Sequence, residues 1–285
     1  MGNRMKQAAI GAGMLIAAAS FQNHAGAMGN APEISNSNGF IAATKEMHTN
    51  ELIGLIRIDG LKAASFPNKT SFIGAENDDT IADGEASIQL NAFLKGVRKG
   101  GKQQLYWVQN VITIGYKNGY KAYQYQSEIY PGTQYLNPDL KLSDVKGKGS
   151  IYAINNKKPG EGNTYIWSSD FKKFDYPMSG YLVIREKLDK GQIGLGISYI
   201  NVSSNSAKDN EEIKIDDIKI GRRGEFSKSY FTIDDVRDAE LGIGGGGNGD
   251  VSYFSRLKAY LGIFAYDDSH FSSARLHTPL FIACN

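Results

Sequence analysis

Between residues 51 and 266 the chain alternates apolar and polar side chains in short runs separated by Gly, Asn, Asp and Pro. In EASIQLNAFL, Glu85 to Leu94, the residues Ile88, Leu90, Ala92 and Leu94 alternate with Ser87, Gln89 and Asn91. A period of two marks a strand with one buried face, because successive side chains leave a pleated backbone on opposite sides. ELIGLIRI (Glu51 to Ile58), GYLVIREK, QIGLGISYI and EIKIDDIKI repeat the pattern, and VSYFSRLKAYLGIFAY, Val251 to Tyr266, is its longest form. No segment keeps a helical period over three turns, and FTIDDVRD, Phe231 to Asp238, holds a helical turn at most. Many short strands with turn residues between them predict an all-β fold, an antiparallel β-sandwich of jelly-roll type. Asp59-Gly60 and Asp83-Gly84 read as turns. GIGGGGNGD, Gly242 to Asp250, reads as a long hairpin loop, since it lacks the lysine and following helix of a phosphate site.

The N-terminus breaks the pattern. Arg4 and Lys6 precede the apolar run Ala8 to Ser20, and AGA follows at Ala25 to Ala27, which predicts a secretory signal peptide over residues 1–27. The run is shorter than the roughly 20 residues that span a bilayer, and an uncleaved N-terminal anchor is the alternative reading. Residues 28–39 are Ser/Asn-rich and predict a flexible lead-in, while 40–285 shows no composition break and is read as a single β-sandwich domain. The expected location is secreted or extracytoplasmic, with no other membrane contact, and the oligomeric state stays undetermined.

Composition narrows the chemistry. Lys+Arg 32 against Asp+Glu 30 gives a formal charge of +2, too even to point to nucleic acid as a partner. Cys284 is the single cysteine, and His48, His270 and His277 lack the spacing of a zinc site, so neither a metal nor another cofactor is expected. There is no G-x-S-x-G elbow for a serine nucleophile. Adjacent pairs such as Asp216-Asp217 point to opposite faces of a strand and form no catalytic dyad.

One strand carries an unexpected residue. In LYWVQNVITI, Leu105 to Ile114, Tyr106, Val108, Ile112 and Ile114 share one face, and Trp107, Gln109 and Val111 share the other. In DAELGIG, Ala239, Leu241 and Ile243 form an apolar face that leaves Glu240 and Gly242 opposite. If the two apolar faces meet a common core, Gln109 and Glu240 project together from the exposed, concave side of a sheet.

EASIQLNAFL, LYWVQNVITI and DAELGIGGGGNGDVSYFSRLKAYL, in that order after GFIAATKEMHTNELIGLIRIDGLKA, resemble the thermopsin family of secreted acid endopeptidases. The resemblance covers most of the chain beyond the signal segment. It implies hydrolysis of polypeptide substrates at acidic pH without metal or nucleotide. The Ala239-Glu240-Leu241 stretch is also similar to the glutamic peptidases with a lectin-like jelly roll, which use a glutamine and a glutamate, although Leu241 stands where they have tryptophan. That second similarity implies Glu240 as general acid/base and Gln109 as oxyanion and water-orienting partner. Trp107 would wall the substrate cleft, and Gly245, Gly246 and Asn248 would form a flap over it. Two other readings stay open. One is an acid peptidase using an Asp pair drawn from Asp234, Asp235, Asp238 and elsewhere. The other is a non-catalytic extracellular β-sandwich that binds glycan or protein through its 16 tyrosines and 13 phenylalanines.

Overall fold

The computed structural model describes residues 39–42, 47–65, 81–131, 150–155, 163–204, 213–233, 239–244, 253–267, 272–275 and 280–284. Among them there are strands and no helix. In chain order the first are β1 (Gly39–Ala42), β2 (Met47–Thr49), β3 (Glu51–Ser65), β4 (Ile81–Arg98), β5 (Gln103–Lys117) and β6 (Tyr120–Pro131). Then come β7 (Ser150–Asn155), β8 (Asn163–Ser168), β9 (Lys172–Lys173), β10 (Met178–Asp189), β11 (Gln192–Ser204) and β12 (Ile213–Ile220). The last are β13 (Phe226–Ile233), β14 (Ala239–Gly244), β15 (Tyr253–Asp267), β16 (Ser272–Arg275) and β17 (Leu280–Cys284).

These strands form two antiparallel sheets. One has the order β1-β14-β4-β5-β6-β8-β7, with β13 beside β4, β2 beside β13 and β9 beside β6; the other runs β12-β11-β10-β3-β15-β16, with β17 beside β15. The sheets pack face to face over a core in which Ile88, Leu90, Val108, Ile112 and Leu241 of the first meet Leu52, Ile56, Leu182, Ile197 and Leu261 of the second. The alternation in the sequence therefore predicted both the class and the buried faces. Every core residue named here is nearly or fully shielded from water, and such side chains contribute about 1.5–3 kcal/mol each on burial.

Polar side chains also cross this core. Asn110 Nδ2 donates to the backbone carbonyls of Val183 (3.3 Å) and Ser198 (3.2 Å), two residues paired in register on β10 and β11. The Tyr199 hydroxyl on β11 donates to the Gln126 carbonyl on β6 and lies 2.6 Å from Ser127 Oγ. Glu186 on β10 accepts from Ser229 Oγ on β13. All three interactions fix how the site-bearing sheet sits on its partner.

Several local expectations change. Asp59-Gly60 is no turn: pairing passes from Gly60–Lys258 to Ile58–Ala259, so Asp59 is the extra residue of a bulge inside β3. Asp83-Gly84 likewise falls inside β4, where the register shifts on both sides of Gly84. In both cases a long ladder continues through residues that tolerate irregular backbone, so the strand bends instead of reversing. Gly242 to Gly244, read as loop, complete β14 and pair with Gln89, Ile88 and Ser87. Gly39, the last residue of the expected lead-in, already belongs to β1, and Phe231 to Ile233 end a strand. The real reversals at Asn118-Gly119 and Lys190-Gly191 have positive φ at both residues, the twist that suits two-residue hairpins. The expected signal segment, residues 1–27, lies outside the described residues.

Two stability predictions follow from the packing. A Cβ built on Gly54 of β3 would lie 2.9 Å from Leu241 Cδ1 and 3.5 Å from Leu90 Cβ. Gly54→Val should therefore lower stability by about 1–3 kcal/mol, seen as a lower urea midpoint, by overpacking the core beneath β14 and β4. Glu186 is 5% exposed, its Oε1 has no hydrogen-bond partner among the described residues, and burial raises its pKa from 4.5 to about 7 despite the opposing Ser229 bond. The folded state thus holds this proton more tightly than the unfolded chain. The resulting stability is fully present below about pH 4.5 and is lost as pH rises toward 7, by about 3 kcal/mol in all at 1.36 kcal/mol per unit. Glu186→Gln should abolish this loss, flattening the profile of unfolding free energy between acid and neutral pH.

Candidate active site

Gln109 lies in the middle of β5, and the ladder decides its neighbours. It pairs with Asn91 on β4 to one side and with Glu128 on β6 to the other. Asn91 in turn pairs with Glu240 on β14, and Glu240 with Ala42 on β1. One row across the sheet therefore reads Glu240, Asn91, Gln109, Glu128. Leu90, Ala92 and Val108 are core residues, so alternation sets Asn91 and Gln109 on the face turned away from the second sheet. Gln109 and Glu240 thus share one row of the ladder, two strand spacings or about 10 Å apart along the sheet.

The residue between them is new. Gln109 Nε2 donates to Asn91 Oδ1 at 3.1 Å and, one row along, to Gln89 Oε1 at 3.3 Å. Gln89 Nε2 donates to Ser87 Oγ at 2.9 Å. On β6 a parallel chain of carboxamides forms, with Gln126 Nε2 donating to Gln124 Oε1 (3.0 Å) and Gln124 Nε2 to the Ser169 carbonyl (3.1 Å). This face is less open than a bare sheet surface: Gln109 is half-buried, while Ser87, Asn91, Thr113, Gln124 and Gln126 are buried. Polar groups so shielded require partners, and the cross-strand bonds supply them.

Trp107 is half-buried on the same face as Gln109, two residues away along β5. Its ring lies 4.6 Å from that of Phe93, its register partner, at 57°. The pair forms an aromatic border beside the polar row. Gly245, Gly246 and Asn248 lie outside the described residues, as do Asp234, Asp235 and Asp238. Described cavities lie elsewhere: one of about 410 Å³ is lined by Asp59, Lys62, Tyr116, Lys121 and Tyr176, and one of about 520 Å³ by Arg98, Arg222, Arg223 and Glu225.

Sequence reasoning singled out Gln109 and Glu240 but not Asn91, Gln89 and Glu128. A signal for the first two was present, since the alternation of EASIQLNAFL sets Gln89 and Asn91 on a polar face. For Glu128 the signal was AYQYQSEI, where Gln124, Gln126 and Glu128 alternate with Tyr123, Tyr125 and Ser127. Nothing in either stretch says which strand lies beside which.

No curated protein matches the chain. The thermopsin family model does match it, over residues 16–277, and family membership implies a peptidase. The chain belongs to the thermopsin family.

Proposed function

We propose that this protein is a secreted acid endopeptidase in which Glu240 is the general acid/base and Gln109 orients the attacking water. The observation that carries this reading is the shared row: Asn91 stands between Glu240 and Gln109 in the ladder. A separation of about two strand spacings leaves room for a water and a scissile amide between the head groups. The basic and apolar run at Arg4 to Ser20 supports export.

The chemistry runs through a tetrahedral intermediate. The Glu240 carboxylate takes a proton from water as the water oxygen bonds to the scissile carbonyl carbon. The carbonyl electrons move onto oxygen, and the proton then passes from Glu240 to the amide nitrogen as the C–N bond breaks, releasing acid and amine. Gln109 Oε1 accepts a hydrogen bond from the second O–H of the water and so aims the oxygen at the carbon. Its Nε2 reaches the oxyanion by exchanging the longer bond to Gln89, and a donor placed there is worth about 3 kcal/mol. A glutamate ionising near about 4.3 serves as base in mildly acidic solution, with no metal, histidine or thiol in the scheme.

The test is hydrolysis of a denatured protein by the purified chain between about pH 2 and pH 7. Glu240→Gln should lower kcat by about 10²- to 10⁴-fold and Gln109→Ala by about 10²-fold, with unchanged thermal unfolding. Glu128→Gln separates the two carboxylates of the row. Retained activity assigns the base to Glu240, and its loss with Glu240→Gln active moves the base to the other side of Gln109. A wild-type chain that cleaves no polypeptide across this range rejects the hydrolytic reading.

A further inference from the structure

The Gln109 carboxamide nitrogen carries two protons, and both are engaged, by Asn91 Oδ1 at 3.1 Å and by Gln89 Oε1 at 3.3 Å. A flip of this amide would set its own oxygen against two acceptor oxygens, so one orientation is enforced. The nitrogen of Gln89 donates to Ser87 Oγ at 2.9 Å, which turns its oxygen toward Gln109. Asn91 has the more central place. It is 5% exposed, directly opposite Gln109 on one side and directly opposite Glu240 on the other. Asparagine is depleted in strand interiors, where a β-branched residue would serve the ladder better. A carboxamide at this position gives the strand little and gives Gln109 a fixed acceptor.

We propose that Asn91 is a positioning residue of the hydrolytic site, holding the Gln109 carboxamide with its oxygen toward the water and setting the gap between Gln109 and Glu240. This rests on the reading of Gln109 and Glu240 as the working pair. Asn91 acts through Gln109, and its loss frees the amide to flip, leaving the acceptor for water present only part of the time. Binding of an extended peptide along the face depends little on that orientation, so the defect belongs in kcat.

The experiment measures kcat, KM and the pH–rate profile for Asn91→Ala and Asn91→Asp beside Glu240→Gln and Gln109→Ala, with thermal unfolding of each. Asn91→Ala should lower kcat by about 10- to 100-fold while KM stays within about twofold. Asn91→Asp keeps an oxygen facing Gln109 and should recover most of kcat. Its charge, one strand from Glu240, should also move the acid limb of the profile upward by about half to one pH unit. That shift reports the nearness of position 91 to the base, while the loss of kcat at nearly constant KM in Asn91→Ala reports the positioning role. Wild-type kcat in Asn91→Ala, or an Asn91→Asp profile superimposed on wild type, overturns the proposal; if Asn91→Ala does not fold, the Asp variant decides alone. Full activity in both Glu240→Gln and Gln109→Ala removes the underlying reading and this proposal with it. Inactive Glu240 and Gln109 variants beside unchanged Asn91 variants remove only the part given to Asn91.

Discussion

Everything at the candidate site depends on the register of β4 with β5 and β14. Because side chains alternate strictly along a strand, a slip of one residue would carry Gln109 into the core and Val108 out of it. The same slip on β14 would expose Leu241. The register is held from below by Leu90, Ala92, Val108 and Leu241, whose burial would be lost in the slipped pairing. The Asn118-Gly119 hairpin fixes the adjoining register, leaving β5 and β6 one way to pair.

The second sheet contributes more than a cover. Asn110, the residue after Gln109, reaches through the core to Val183 and Ser198, and Tyr199 reaches back to Gln126 and Ser127. Apolar contacts alone would let two sheets slide, since burial is non-directional. Hydrogen bonds to backbone carbonyls are directional, and buried carboxamides are costly to leave unmade. The polar crossings thus fix the strands that carry the site relative to a sheet with no residue in it. Glu186 belongs to the same set but titrates: the Ser229 bond favours its carboxylate, while burial disfavours that charge more, so the fold gains stability here as the medium becomes acidic.

The site itself is built from neutral amides between two carboxylate positions. Gln89, Asn91 and Gln109 are hydrogen-bonded to one another, which lets a buried asparagine sit between two half-buried glutamines without charge. A peptide bond is itself an amide, with one donor and one acceptor, so the face carries groups of a matching kind. Trp107 and Phe93 border the row with apolar surface, the combination of a few placed polar groups and an aromatic edge common to binding sites.

Much of this was legible without coordinates. The period of two announced strands, their number announced a sandwich, and the parity of each run told which of Gln109, Trp107 and Leu241 faced the core. Parity is a local property, carried by each strand alone. It failed where local chemistry admitted two outcomes, as at Asp59-Gly60 and Asp83-Gly84, which bulge within a ladder instead of turning, and at Gly242 to Gly244, which are strand because β4 pairs with them. Neighbourhood is not local. That Asn91 stands between Gln109 and Glu240, and Glu128 opposite Gln109, follows from which strands pair and in what register, and it is decided by the simultaneous burial of all their apolar faces. The sequence by itself determined which side chains look out; only the tertiary structure decided which of them stand side by side, because strand order is a free-energy choice made by the whole core and not by any one strand.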